Sequence, residues 1–104
     1  MTSTASPVFS LTTRVAATRD QVSCQIDREA VILNLKDGVY YGLNEAGARV
    51  WTLVQERSHT VTELVAMIAS EFAVSPEQCA DDVCALLAQF HAAGLLEVLG
   101  EGAG

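Results

Sequence analysis

The stretch that decides the fold reads Leu35-Lys-Asp-Gly-Val-Tyr-Tyr-Gly-Leu-Asn44-Glu-Ala-Gly-Ala-Arg-Val-Trp51. Asp37-Gly38 is a strong hairpin signal, because glycine accepts the positive φ that such turns need. A short strand follows over Val39–Leu43, and Asn44 is placed to cap a helix immediately afterwards. The stretch therefore predicts a hairpin strand that leads directly into the helical half of the chain.

Two registers are possible for this hairpin, and burial favours one of them. A two-residue loop places Val39 opposite Lys36 and mixes polar and apolar side chains on both faces. A three-residue loop, with Gly38 as a left-handed bulge, pairs Leu33 with Tyr41. We predict this bulged register, which sorts Ile32, Asn34, Tyr40 and Gly42 away from an apolar face. That face comprises Val31, Leu33, Leu35, Val39, Tyr41 and Leu43.

Upstream of the hairpin, apolar residues alternate with polar ones and predict another strand. Val22, Cys24 and Ile26 are the apolar members, which indicates a half-buried strand. Together with Ala30–Leu35 and Val39–Leu43 it completes a three-stranded antiparallel meander.

Three helices are predicted after the meander, each with its own start signal. Asn44 caps the first, which is expected to run to about Glu56. The residues from Thr60 to Glu63 form a capping box for the second, and Ser75-Pro76 starts the third. We predict an α+β fold resembling a winged helix-turn-helix, with a three-stranded antiparallel sheet followed by three helices.

The expected organisation is a single domain with short extensions. Residues 1–20 are expected to form a flexible or extended N-terminal arm, residues 21–99 the domain, and residues 100–104 a disordered tail. A chain of 104 residues, half of them hydrophobic, suits one modest core.

Charge is distributed unevenly along the chain. Residues 1–57 carry all six basic side chains and six acids, whereas residues 58–104 carry seven acids and no Lys or Arg. The acidic half is expected to repel nucleic acid and anionic membranes, but not a basic or neutral polypeptide. No apolar run reaches 18 residues and no signal-peptide pattern is present, so a cytoplasmic protein is expected.

No constellation of residues predicts catalysis, a metal site or a cofactor. Cys84 and His91 share a helix face, but their Cα atoms are about 10.5 Å apart, too far to bind one metal together. Cys79 and Cys84 point in diverging directions, and we interpret the buried cysteines as small hydrophobic residues. We predict a protein that is not an enzyme, with no catalytic residue, no metal and no cofactor.

A free sheet edge is the predicted functional feature. Val39–Leu43 has neither a charged residue nor a proline, so an extended peptide could add there as a fourth strand. The third helix, with Val83, Leu86, Leu87 and Phe90, could form the other wall. Asp81 and Asp82 would attract a basic residue of the peptide. Periodicity alone favours the other interpretation, in which Tyr40, Tyr41 and the apolar stripe of the third helix are ordinary core.

The segment from Val31 to Trp51 resembles the PqqD-like family, the leader-peptide recognition elements of ribosomal peptide biosynthesis. The likeness rests on Tyr-Tyr-Gly-Leu-Asn-x-x-Gly-x-x-x-Trp, continues through the Thr60 helix start and the Ser75–Leu87 helix, and covers about Gln21 to Val98. The Tyr-Tyr-Gly form most resembles the stand-alone leader-binding protein of lasso-peptide clusters.

This resemblance implies a peptide chaperone that binds the precursor's leader on the third strand and presents it to a maturation enzyme. The enzyme would be a cysteine-type leader peptidase in lasso clusters, or a radical SAM enzyme in quinone-cofactor and other clusters. The implied peptide-binding residues are Val39, Tyr40, Tyr41, Gly42, Leu43, Asp82, Val83, Leu86, Leu87 and Phe90.

Two hypotheses that assign the protein to other functional classes stay open at this point. A winged helix-turn-helix usually suggests DNA binding, but the third helix carries Glu77, Asp81 and Asp82 and neither Lys nor Arg, which opposes phosphate contacts. The second is a structural subunit whose edge strand completes the sheet of a partner enzyme.

Overall fold

The computed structural model describes residues 11–101 and contains six strands and three helices in this range. In chain order the elements are β1 Thr13–Ala17, β2 Gln21–Ile26, β3 Glu29–Asn34, β4 Val39–Leu43, α1 Glu45–Glu56, β5 His59–Thr60, α2 Val61–Phe72, α3 Pro76–Ala92 and β6 Leu96–Glu101.

Two small antiparallel sheets frame the helices. The strand order of the first is β2-β3-β4, and three helices follow it in the chain, as predicted for a winged helix-turn-helix-like α+β fold. The second sheet, of order β5-β1-β6, was not predicted. Its strands lie far apart in the sequence, so no local hairpin pattern indicates it.

The predicted register of the β3–β4 hairpin is wrong. Tyr41 lies opposite Ile32, and Tyr40 lies opposite Leu33, so β4 is shifted by one residue relative to the bulged pairing. The loop contains four residues, 35–38, and Gly38 does adopt the expected positive φ, at 72°. The shift reverses β3: Ile32 is fully buried, whereas Leu33 faces outward beside Tyr40.

The physical reason for the shift is the side-chain amide of Asn34, which is buried but fully used. Asn34 Nδ2 donates to the carbonyl oxygen of Ala93 at 2.8 Å, and Asn34 Oδ1 accepts from the backbone N–H of Lys36 at 2.9 Å. A buried amide with these partners costs little, so Asn34 occupies a core-facing position that sorting by hydrophobicity assigns to an apolar residue.

The prediction for β2 is also wrong about which face is buried. Val22, Cys24 and Ile26 are exposed, and the polar residues of β2 face α1 instead. Gln25 Nε2 donates to Thr52 Oγ1 at 3.1 Å, and Gln55 Nε2 donates to Ser23 Oγ at 3.3 Å. Hydrogen bonds with side chains of α1 therefore hold the polar face of β2 toward the helix.

All three helix starts are confirmed, because each depends on hydrogen bonds within one turn. Asn44 Oδ1 accepts from the Gly47 N–H at 2.9 Å, and Thr60 and Glu63 form the reciprocal capping box. Ser75 Oγ accepts from the Gln78 N–H at 3.4 Å. The bond from the Thr60 N–H holds the pKa of Glu63 below its usual value.

The core lies between the three helices and the inner faces of both sheets. At its centre the rings of Trp51 and Phe90 meet edge to face, with centroids 5.4 Å apart. Val15 of β1 is fully buried in the same cluster. Residues Thr13–Ala17 of the predicted N-terminal arm are thus part of the packed structure.

The predicted limits of the domain, at residues 20 and 100, stay predictions. Val15 pairs with Val98 of β6, and β6 continues to Glu101, beyond the predicted start of the tail. Residues 1–10 and 102–104, on which the rest of the predicted arm and tail falls, lie outside the described residues.

Replacing Asn34 by Ala is expected to lower the free energy of unfolding by about 1–3 kcal/mol, because the Ala93 carbonyl and the Lys36 N–H lose their partner. Urea unfolding followed by circular dichroism measures the change. Lys36→Ala is the control: its ammonium is exposed, and its ion pair with Asp20 contributes at most about 1 kcal/mol. Equal losses in the two variants would contradict this role of Asn34.

Candidate functional site

The outer edge of β4 is not paired with any strand of residues 11–101. Within the described residues, β4 pairs with β3 alone. β1 pairs with β5 and β6, so residues 11–20 of the chain do not cover this edge. In an edge strand, alternate residues direct their N–H and C=O groups outward, where another extended chain can bind them.

Side chains of β4 alternate between the side of the sheet that faces the core and the side that faces solvent. Tyr41 and Leu43 are half-buried and pack against the core, whereas Val39, Tyr40 and Gly42 are exposed. Tyr40 is the most exposed, at 69%. A chain added to β4 would therefore meet Tyr41 and Leu43 on one side of the sheet and Tyr40 on the other.

An apolar cavity of about 250 Å³ lies close to the C-terminal end of β4. It is enclosed by the start of α1, the end of α2 and the N-terminal half of α3. Its lining includes Ala46, Val50, Phe72, Asp82, Val83 and Leu86. Ala46 follows Leu43 by only three positions, so the cavity lies near the end of β4, and its apolar lining can receive an apolar side chain.

The predicted wall residues of α3 divide into two groups. Asp82 is exposed, Leu86 is half-buried, and Val83 is buried but reaches the lining of the cavity. Leu87 and Phe90 are buried in the core, at 0% and 3% exposure, and present almost no surface. Leu86 and Asp82 are thus the residues of this wall that a ligand can touch most directly.

Six further residues of the cavity were not predicted as site residues: Ala46, Val50, Ile68, Phe72, Val74 and Cys79. Ala46, Val50 and Phe72 belong to the apolar stripes of α1 and α2, a pattern that indicates only the core. Phe72 stands at the last position of α2, where a helical stripe commonly reaches the surface. That terminal position is the signal in the sequence that could have identified it.

The exposed surface of the N-terminal half of α3, the α3 wall, is negatively charged. Glu77, Asp81 and Asp82 are exposed on the N-terminal half of the helix. Neither Lys nor Arg occurs in α3, and His91 lies at its other end. This surface attracts a cationic group and repels phosphate.

The pKa values of the two thiols of α3, Cys79 and Cys84, are shifted in the opposite direction from those of catalytic cysteines. Burial, followed by the charge of Asp82, raises the pKa of the Cys79 thiol. Burial and the neighbouring charge of Asp81 raise that of Cys84. A reactive cysteine needs a lowered pKa, so these thiols act as apolar side chains.

The described part of the chain contains no cluster of three His, Cys, Asp or Glu residues that could hold a metal ion. No helix within residues 11–101 is both long enough and apolar enough to cross a membrane.

Comparison with known protein families shows which family this chain belongs to. Residues 29–96, more than half of the chain, match the family described as "Coenzyme PQQ synthesis protein D (PqqD)". The chain belongs to the PqqD family. The match begins at β3 and ends at the start of β6, so it contains both the free edge of β4 and the α3 wall.

Three solved structures resemble this PqqD-family protein. The complex of TbiB1 with the TbiA(beta) leader peptide is 33% identical, with a TM-score of 0.73 over 79% of this chain and 94% of that one. Lasso peptide synthetase B1 complexed with the leader peptide is 20% identical, with a TM-score of 0.69 over 80% of this chain and 96% of that one.

The third structure is the PqqD truncation of Methylobacterium extorquens PqqCD, a stand-alone RiPP recognition element. It is 19% identical, with a TM-score of 0.71 over 86% of this chain and 94% of that one. The last two structures, at these identities, support the fold. Among curated proteins, none matches the chain.

The different burial of the three cysteines predicts different rates of alkylation. Cys24 is exposed, whereas Cys79 is buried and its Sγ–H donates to the carbonyl oxygen of Val65 at 3.7 Å. At pH 8, iodoacetamide is expected to modify Cys24 first, because its thiol is exposed, whereas burial shields Cys79 and raises the pKa values of Cys79 and Cys84. Mass spectrometry of digested samples measures each rate.

In 8 M urea the three cysteines should react alike, which provides the control. The raised thiol pKa values also make the free energy of unfolding depend on pH. The native state holds these protons more tightly than the unfolded state does, so stability falls as the pH rises above the thiol pKa of the unfolded state. Fast modification of Cys79 in the native protein would contradict its assignment to the core.

Proposed function

We propose that this PqqD-family protein binds the leader of a ribosomally made precursor peptide and presents it to a maturation enzyme, without catalysing a reaction itself. The supporting observation is the free edge of β4 beside the cavity at α3. The 33% identity to TbiB1, whose structure contains a leader peptide, supports the same role.

Binding is proposed to occur by strand addition to β4. The backbone of the leader would bond to the outward N–H and C=O groups of Val39–Leu43, which provides affinity that depends little on sequence. Leader side chains opposite Tyr41 and Leu43 would point toward α3, because directly opposed residues share a face of the sheet. An apolar side chain near the end of β4 would enter the cavity beside Leu86.

Charge would add selectivity to this backbone recognition. Asp82 stands at the rim of the cavity, and Asp81 and Glu77 are exposed on the same helix. A basic residue of the leader close to its apolar anchor would be attracted to this acidic wall. The same charges disfavour DNA, so the proposal excludes the winged-helix nucleic-acid binder.

The proposed partner is the cysteine-type leader peptidase of a lasso-peptide pathway. The similarity to TbiB1 in complex with a leader peptide, and the fold shared with lasso peptide synthetase B1, favour this choice. A radical SAM enzyme is the alternative partner, because the PqqD recognition element has the same fold. Precursor peptides are made on ribosomes, so we place the interaction in the cytoplasm.

Titration with a synthetic leader peptide of a lasso-peptide precursor tests the binding site. In ¹⁵N-labelled protein, the amides of Val39–Leu43 and of Leu86 are expected to shift first, because they contact the added strand directly. Shifts confined to β1 and β2 would contradict strand addition at β4.

Leu86→Asp is expected to weaken leader binding by about ten-fold or more, equivalent to about 1.4 kcal/mol, because a carboxylate would replace the apolar wall of the cavity. Isothermal titration calorimetry measures the dissociation constant. Ala85→Asp is the matched control, since it adds the same charge to an exposed position one residue earlier in α3.

If both variants lose affinity equally, the effect is one of charge alone and the cavity has no role. An enzyme that is captured equally well by Leu86→Asp and by wild type, with or without excess leader, would instead indicate a structural subunit. Salt-dependent binding of duplex DNA by the wild type would contradict the proposal.

A further inference from the structure

The β2-β3-β4 sheet has a second free edge, at β2. Within residues 11–101, β2 pairs with β3 alone, and its register with β3 is regular from Gln21 to Ile26. The sequence of β2, Gln21-Val-Ser-Cys-Gln-Ile26, contains neither a charged residue nor a proline. Proteins usually protect an exposed edge with charge, proline or a bulge. The β2 edge has none of these protections, so it is suited to pair with another strand.

The second sheet shows how this protein protects an edge. β6 carries Glu97 and Glu101, and a register shift interrupts its pairing with β1. Gly100 of β6 also has a positive φ, at 97°. The free edge of β4 is the proposed leader site, whereas no other strand of residues 11–101 pairs with β2. A partner for the β2 edge therefore has to come from outside these residues.

A hydrogen bond to the end of β3 shows which backbone groups of β2 point outward. The N–H of Leu35 donates to the carbonyl oxygen of Asp20 at 2.9 Å, so these opposed residues form a hydrogen-bonded pair. Hydrogen-bonded and non-hydrogen-bonded pairs alternate along antiparallel strands. Gln21, Ser23 and Gln25 therefore direct their N–H and C=O groups away from β3, toward the free edge.

A second copy of the chain can add to this edge by two-fold symmetry, which makes the two β2 strands antiparallel. Opposed residues share a face of a sheet, so residues that face α1 must lie opposite residues that face α1. The two longest registers that meet this condition are centred on Ser23 and on Cys24. The Ser23 register forms about six main-chain hydrogen bonds, against about four in the Cys24 register, because it also opposes Gln21 to Gln25.

The charges at the two ends of β2 favour the Ser23 register. In this register, Arg19 of one chain comes to the position opposite Asp27 of the other, and the two-fold axis repeats this pairing. Both side chains are exposed, and neither has an ion pair within residues 11–101. The neighbouring Asp20 and Arg28 already have ion pairs within the chain. A second copy thus supplies partners for the two charges that the single chain leaves unpaired at the ends of β2.

We propose that two copies of this protein associate through their β2 strands and form one continuous sheet. The strand order is then β4-β3-β2-β2-β3-β4, so both β4 edges remain free at the outer ends. The dimer presents two separate peptide-binding edges, and its formation does not depend on what binds there. Because the contact is confined to one strand edge, it is smaller than a standard stable interface, and we expect a reversible dimer.

Sedimentation equilibrium of the full chain without any leader, up to high micromolar protein concentration, measures the dimerisation constant. The wild type is expected to show a reversible equilibrium between monomer and dimer. Arg19→Glu is expected to weaken dimerisation by about ten-fold, because it places a carboxylate opposite Asp27 of the other copy at both ends of the contact. Circular dichroism checks that each variant is folded.

Asp27→Asn gives a sharper test, because its effect should reverse with the residue at position 19. In the wild-type background it removes an attraction to Arg19 and should weaken the dimer by about three-fold. In the Arg19→Glu background it removes a repulsion and should strengthen the dimer by a similar factor. Asparagine tolerates the positive φ of this position, 57°, so the turn is retained. Asp37→Asn, the same change in the exposed turn before β4, is the matched control and should not alter dimerisation.

Disulfide formation between copies tests the register. Ser23→Cys combined with Cys24→Ser places one exposed thiol at the two-fold axis, where the opposed Cα atoms would be about 5.5 Å apart, within the range of disulfides. Mild oxidation should crosslink this variant faster than the wild type, in which Cys24 would lie opposite Val22 of the other copy. Faster crosslinking of the wild type would overturn the Ser23 register.

A wild type that stays monomeric at every concentration would overturn the inference, and so would an Arg19→Glu variant that Asp27→Asn fails to rescue. A dimer that excess leader peptide dissociates would also overturn it, because such a dimer would be joined at β4. Failure of the wild type to bind leader would remove the proposed function but would leave the dimerisation constant unchanged, so the two failures are distinguishable.

Discussion

The side-chain amide of Asn34 is the constraint on which the placement of the β3–β4 hairpin beside α3 depends. The oxygen of this amide accepts from the N–H of Lys36 in the loop after β3, and its nitrogen donates to the carbonyl oxygen of Ala93, the residue that caps the end of α3. A single buried side chain therefore determines the register of the hairpin and attaches the sheet to the helix beside it. The attachment also decides that Ile32 of β3 faces the core, whereas Leu33 faces outward beside Tyr40.

Features that depend on neighbouring residues could be predicted from the sequence. Asn44, Thr60 and Ser75 each form hydrogen bonds within three residues, so the composition of each segment is sufficient to indicate a helix start. The uncharged edge strand is equally local, because Val39–Leu43 has the same composition in any register. The fold class and the edge position of β4 could be inferred for this reason.

Features that depend on distant partners could not be predicted in the same way. The register depends on the Ala93 carbonyl, 59 positions from Asn34, and the orientation of β2 depends on Thr52, 27 positions from Gln25. Leu87 and Phe90 have the spacing of a groove wall, yet they are turned into the core. A periodic pattern shows that a face is apolar, but it does not show what covers that face.

The pairing of β1 with β6 has a consequence for synthesis of the chain. Val15 and Val98, which lie opposite each other, are 83 positions apart, so this edge of β1 is unpaired until the last strand has been made. At about 5–20 residues per second, this interval lasts about 4–17 s on the ribosome. During that time the meander can form, and the other edge of β1 can pair with β5. The nascent chain is thus exposed to proteases and chaperones partly through the edge of β1 that β6 covers later.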